Sequence, residues 1–189
     1  MSKRVIREWI ESLVIAATIA FGIVRPFIVE PYKIPTGSMR PTLLEGDLIM
    51  VNKFLYGARV PFLGARLPAV RQPQRGEVMV FIYPEDPKKN YIKRLVGLPG
   101  ESVEIKNGTV YINGNPLAEG VFEQRLYYNR GEFGAEGKRF TVPADGFFVL
   151  GDNSASSVDS RYWGVVPRRN ILGKAMVIWW PLPRVRIIK

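Results

Sequence analysis

Neither cysteine nor histidine occurs anywhere in the chain, and the two absences remove a good deal of chemistry. Without cysteine there is no disulfide framework, no thiolate metal site and no thiol nucleophile. Without histidine there is no imidazole base, and a transition-metal centre would have only carboxylates for ligands. No metal is therefore expected, and the hydroxyl and amine chemistry set out below calls for no cofactor. Negative charge is also scarce: 17 acidic residues against 27 basic ones leave a formal charge of +10. Such an excess favours an acidic partner, either nucleic acid or an anionic lipid surface.

Long apolar runs are few as well. Lys3, Arg4 and Arg7 precede an uncharged stretch at 12–24, which would rise only ~20 Å as a helix, short of a ~30 Å hydrocarbon core. Extending the helix from Trp9 to Val29 reaches ~30 Å, with Glu11, Arg25 and Pro26 near its ends, where long side chains snorkel and a kink is tolerated. This predicts an N-terminal segment 1–29 made of a short tip and one membrane span, Trp9 to Val29, and membrane lipids rather than nucleic acid as the acidic partner. A buried core helix is the rival for so short a run. A cleavable leader is disfavoured because bulky residues, not small ones, follow the run. Basic residues flank it on both sides, so charge does not fix its orientation.

From residue 30 onward the pattern turns to short β-type runs with frequent punctuation, which predicts one mainly β domain over 30–189. Strands are expected at 47–51, 77–83, 91–96, 146–150 and 174–180. Asn107-Gly108 between two alternating runs predicts a type I′ hairpin at 102–113. The segment 57–74 mixes apolar residues with Arg59, Arg66 and Arg71 and suits either a bilayer interface or packing on the protein itself. The polar, Gly-rich segment 119–138 is expected to be a mobile loop.

Three segments could carry chemistry. In Pro35-Thr36-Gly37-Ser38-Met39-Arg40-Pro41, two prolines hold the backbone in a non-helical course and Gly37 leaves the Ser38 hydroxyl uncrowded. Thr36 could add a hydroxyl donor near a developing oxyanion. With imidazole and thiol excluded, lysine or a carboxylate must act as base, and Lys93 lies inside an apolar β-forming run. In an extended 91–96 segment it shares a face with Tyr91 and Leu95. Burial there, helped by the cation of Arg94, would lower its pKa. Gly-Ser in a proline-bounded turn is usually just a turn, and a strand lysine usually faces water. The third segment, 151–161, crowds Asp152, Asn153, Ser154, Ser157 and Asp159 after a buried strand, and lacks the spacing of a calcium loop.

Together these segments resemble the bacterial type I signal peptidases, a family of membrane-anchored serine proteases. The resemblance rests on 34–43 with Gly46-Asp47, on 75–81, on 91–100 and on 151–164. It implies Ser38 as nucleophile, Lys93 as general base, Thr36 with the Ser38 N–H as oxyanion hole and Ser157 as the hydroxyl that positions Lys93. It further implies an ionic scaffold of Arg94, Asp152, Asp159 and Arg161. Tyr32, Ile34, Pro35, Met39, Leu43, Tyr91 and Ile92 would shape shallow subsites for Ala-X-Ala sequences of signal peptides. The implied location is the cell membrane, single-pass, with the catalytic domain outside the cytoplasm. Three departures stand out: Ser154 where many members have arginine, Thr36 where many have serine, and a short 100–146 interval that points to a compact, Gram-positive-like form. A tethered β-domain binding an anionic surface, with Ser38 in an ordinary turn, is the alternative from another functional class.

Overall fold

The chain is described by a computed structural model over residues 3–19, 22, 29–60 and 65–189. In chain order it comprises α1 (Lys3–Ile19), β1 (Val29–Lys33), β2 (Leu48–Asn52), β3 (Val78–Ile82), β4 (Asn90–Gly97), β5 (Ser102–Lys106), β6 (Thr109–Ile112), β7 (Asn115–Pro116), β8 (Phe140–Thr141), β9 (Gly146–Leu150), α2 (Ser160–Trp163), β10 (Val166–Pro167), β11 (Ile171–Trp180) and β12 (Arg186–Ile187). The mainly β class is as expected.

The larger sheet runs β1-β2-β11-β3-β4-β9-β10, with β12 on β11, and the smaller runs β7-β6-β5-β8. Their strand pairs are antiparallel. The inner strands β3 and β9 are apolar on both faces and almost wholly buried, as a strand covered on both sides must be. One core cluster, including Met39, Leu43, Ile49, Val51 and Ile178, lies under β2 and β11, and a second, including Phe81, Leu95, Phe147 and Val149, under β3, β4 and β9. A third, with Val103, Ile105 and Phe148, joins the two sheets. Where β4 leaves the larger sheet, a Cβ at Gly97 would fall 2.6 Å from Val103 Cγ2. Only glycine lets the sheets meet that closely.

The hairpin forms as expected: Asn107 and Gly108 take φ of 49° and 79° between β5 and β6. The segment 119–138, expected to be mobile, is instead packed. Phe122 and Tyr127 are buried in the third cluster with Phe133 against it, and Asn129 Nδ2 donates to the Ile105 carbonyl at 2.9 Å. Phe122, Tyr127 and Phe133 outweigh its glycines, because each of these rings removes a large apolar area from water.

In 57–74, residues 61–64 lie outside the described residues. The base of the segment packs on the protein, with Tyr56 and Ala58 buried and Leu67 N donating to the Ala58 carbonyl at 2.9 Å. The expected helix to Val29 is not seen as one element: α1 ends at Ile19, Val29 begins β1, and 20, 21 and 23–28 lie outside the described residues. Among the described residues no helix is long and apolar enough to cross a membrane. Residues 4–19 of α1 are exposed all round, including Trp9, Leu13 and Ile15, so α1 is not the core helix weighed as the rival.

Candidate active site

The two prolines act as the sequence suggests. Thr36 is extended (φ −137°, ψ 157°), the chain makes a single 3-10 turn over Gly37–Met39, and Arg40 is extended again. A second loop grips this turn, since Asn153 N donates to the Ser38 carbonyl (3.0 Å) and Asn153 Nδ2 to that of Gly37 (3.1 Å). Ser38 is buried as a result.

Strand β4 brings up the amine. It is an inner strand between β3 and β9, with Lys93 opposite Met79 and Arg94 opposite both Val78 and Leu150. Lys93 is 4% exposed, and its Nζ lies 2.7 Å from Ser38 Oγ and 2.9 Å from the Ile92 carbonyl oxygen. Burial pushes its pKa from the ordinary 10.5 down to about 8, against the opposing pull of Asp159 and Asp152 and with some help from Arg161. The cation expected to assist was Arg94; the one that does is Arg161.

Arg94 makes a two-pronged bond to Asp152, Nε to Oδ1 at 2.7 Å and Nη2 to Oδ2 at 2.6 Å, with both side chains fully buried. Arg161 does likewise with Asp159 at 2.8 and 2.9 Å, and also donates to Ser154 Oγ and to the carbonyls of Tyr128, Ser154 and Ser157. Two buried ion pairs this close to saturation are tolerable, because their hydrogen bonds offset desolvation that Coulomb attraction alone would not. The four residues of the expected scaffold are thus joined as two pairs. Ser154, at the position where the resemblance leads one to expect arginine, accepts from Arg161 and from Tyr128 N. Arg125 adds a further cation to Asp152 at 3.1 Å, and Thr42 Oγ1 donates to the same carboxylate. Neither was singled out from sequence, since Arg125 sits in the segment read as mobile.

Ser157 is buried in the same wall. Its Oγ has no hydrogen-bond partner, so the expected contact with Lys93 is not made and the Ile92 carbonyl holds the amine instead. Gly151 allows the wall to close: a Cβ there would fall 2.2 Å from Ser157 Oγ and 2.6 Å from the Ser38 carbonyl oxygen.

Above Ser38 and Lys93 opens a cleft of about 240 Å³, lined by Pro35, Thr36, Asn90, Tyr91, Ile92, Ser156 and Val158. Of the residues expected to shape subsites, Pro35, Tyr91 and Ile92 border it. Met39 and Leu43 do not, being fully buried in the core, and Ile34 is buried beside them. Their apolar character serves packing, which a lone sequence does not distinguish from ligand contact. Tyr32 packs on that cluster and donates to Glu30 Oε2 at 2.8 Å. Asn90, Ser156 and Val158 were missed, and only adjacency in space identifies them.

An antiparallel β framework, holding a buried serine hydroxyl against an amine that can lose its proton near neutral pH, defines the class as a serine hydrolase without imidazole. The chain belongs to the signal peptidase family, peptidase S26, whose family model matches residues 6–180. It is 42% identical over 197 residues to signal peptidase I of Pseudomonas aeruginosa, covering 86% of this chain and 69% of that one. The probable signal peptidase I-2 of Synechocystis sp. is 39% identical over 189 residues, covering 95% and 77%. Signal peptidase I P of Bacillus subtilis subsp. natto is 34% identical over 190 residues, covering 96% and 93%. A signal peptidase I from Enterococcus faecalis, known from its crystal structure, is 34% identical, with a TM-score of 0.43 over 56% of this chain and 98% of that one. The protein is accordingly a hydrolase, a serine endopeptidase of the signal peptidase family.

Proposed function

We propose that the protein removes N-terminal signal peptides from exported preproteins after Ala-X-Ala-type sites, with Ser38 as nucleophile and Lys93 as general base. The observation that carries this reading is the 2.7 Å separation of Lys93 Nζ and Ser38 Oγ in a buried site where the lysine pKa falls to about 8. At pH 7 about a tenth of such amines are neutral, against well under a thousandth for an ordinary lysine.

Neutral Lys93 accepts the Ser38 proton as Oγ attacks the carbonyl carbon of the scissile bond. The oxyanion is held by the Ser38 N–H and the Thr36 hydroxyl, and Thr36 borders the cleft where such a donor is needed. Protonated Lys93 then gives its proton to the leaving amine, and the peptide bond breaks. Water, deprotonated by the same lysine, hydrolyses the acyl-enzyme and restores Ser38. The cycle as written uses only protein groups and water. Ser157, buried in the same wall with an unpaired hydroxyl, is the residue proposed to position Lys93. The narrow cleft beside Tyr91 and Ile92 suits small side chains.

The assigned domains are 1–29 as cytoplasmic tip and membrane span, and 30–189 as a catalytic domain on the outer face. The charges of α1 lie in its first half, and the exposed apolar side chains of Leu13, Val14, Ile15 and Ile19 in its uncharged second half support the span, because so much exposed apolar surface calls for a nonaqueous neighbour. Ser38→Ala and Lys93→Ala are each expected to abolish preprotein processing in detergent or liposomes with the thermal transition retained. Substantial activity in either would refute the pair. Release of the protein from membranes by alkaline carbonate would refute the span.

A further inference from the structure

Away from the cleft, four arginines that stand in no salt bridge among the described residues, Arg59, Arg66, Arg168 and Arg169, come together on one part of the surface. Arg59 and Arg66 form an isolated antiparallel bridge in the excursion between β2 and β3, and they reach the turn Arg168–Asn170 that precedes β11. Arg59 donates to the Arg169 carbonyl, Arg66 to the carbonyls of Arg168 (3.4 Å) and Ile171, and Arg168 to Gln72 Oε1. Among the described residues ten other arginines stand in salt bridges, and none of these four does.

A guanidinium has five N–H donors, so these carbonyls use only part of the supply, and Arg66 Nε is buried with no partner at all. Burial first, then repulsion from Arg59 and Arg168, lowers the Arg66 pKa. Between the groups lies a cavity of about 590 Å³ bordered by Tyr56, Arg66, Gln72, Asp145, Arg168 and Arg169. Asp145 is the one carboxylate on that border, and the arginines outnumber it. Gathering like charges around one open pocket costs energy that an anion there would recover. Several guanidinium forks match a group with several acceptor oxygens, which a phosphoryl group has and a single carboxylate lacks.

We propose that this pocket binds a phosphoryl oxyanion, borne by a lipid headgroup or free in solution, as a second ligand site. It shares no lining residue with the cleft over Ser38, so its occupancy is separable from the proposed catalytic pair.

The test is calorimetric titration of the full chain in neutral detergent, at 100 mM chloride, with inorganic phosphate, acetate, dihexanoyl phosphatidic acid and dihexanoyl phosphatidylcholine. The unsubstituted protein is expected to bind phosphatidic acid, phosphate or both, and neither acetate nor phosphatidylcholine. Binding of phosphatidic acid alone identifies a headgroup, and binding of phosphate at least as tightly identifies the free ion. The double variant Arg168→Gln/Arg169→Gln is expected to bind at least about tenfold more weakly, with preprotein processing unchanged. Should the double variant melt early, the single variant Arg169→Gln, whose side chain is exposed, is expected to show weaker binding with its melting unchanged. The proposal is overturned if neither phosphorus compound binds, if acetate binds as well as phosphate, or if a folded variant binds like the parent.

Discussion

Replacing Lys93 by methionine separates the cost of burying the amine from everything else in the fold. The native pKa is about 8 against an ordinary 10.5. Because the native value is the lower, the unfolded chain binds more protons between those limits, and stability rises with pH across them. Below pH 8 both states carry the charge and the native state bears the full penalty, on the order of 3 kcal/mol at ~1.4 kcal/mol per pKa unit. Above 10.5 both are neutral and the penalty is gone. Lys93→Met has no group titrating there, so the stability difference between parent and variant isolates the lysine. Between pH 7 and pH 10 the parent is expected to gain about 2 to 3 kcal/mol relative to Lys93→Met. Urea unfolding of both proteins in the same detergent at several pH values measures it, and side chains common to the two cancel. Lost hydrogen bonds to Ser38 and the Ile92 carbonyl shift the whole curve but leave its slope. A difference that stays flat over this range would refute the claim that Lys93 is buried with a depressed pKa.

Preprotein cleavage is expected to rise with pH along a limb centred near 8, and a limb near 10.5 in a pH–rate profile would count against Lys93 as base. Arg94→Met leaves Asp152 buried with only Arg125 for a cation, and should cost about 3 to 5 kcal/mol in urea unfolding. Gly151→Ala forces a Cβ against Ser157 Oγ and the Ser38 carbonyl, so cleavage should fall at least about a hundredfold as the nucleophile turn is displaced by about 1 Å. Burial alone would raise the Glu77 pKa, but hydrogen bonds from Arg71, Lys174 and Tyr56 outweigh it and hold the carboxyl at about 2. Its contribution is therefore complete above pH 4.5 and lost as pH falls toward 2. Glu77→Gln should remove that part of the acid sensitivity in unfolding curves.

Much of the site was legible before any coordinates. The excluded imidazole and thiol left few bases, and the proline-bounded turn and the apolar run around Lys93 each carried a local signal. What escaped notice depended on neighbours distant in sequence. Arg125 and Asn153 act on Asp152 and on the Ser38 turn across long chain separations. The segment 119–138 looked mobile because its glycines are visible locally, whereas the partners of its aromatics are not. Met39 and Leu43 looked like subsite residues because an apolar side chain reads the same in a core and in a pocket.

Composition and spacing determined what the chain could not be, where several of its inner strands and the Asn107-Gly108 hairpin fall, and which hydroxyl and which amine were worth pairing, because these follow from backbone preference and side-chain chemistry alone. Tertiary structure decided that β4 is an inner strand, that Ser38 and Lys93 meet, and that Arg161 is the cation bearing on the amine. It also decided that arginines distant in sequence converge where a single carboxylate, Asp145, is outnumbered. Dielectric environment and Coulomb energy depend on distances between segments far apart in the chain, and only the folded arrangement sets those distances.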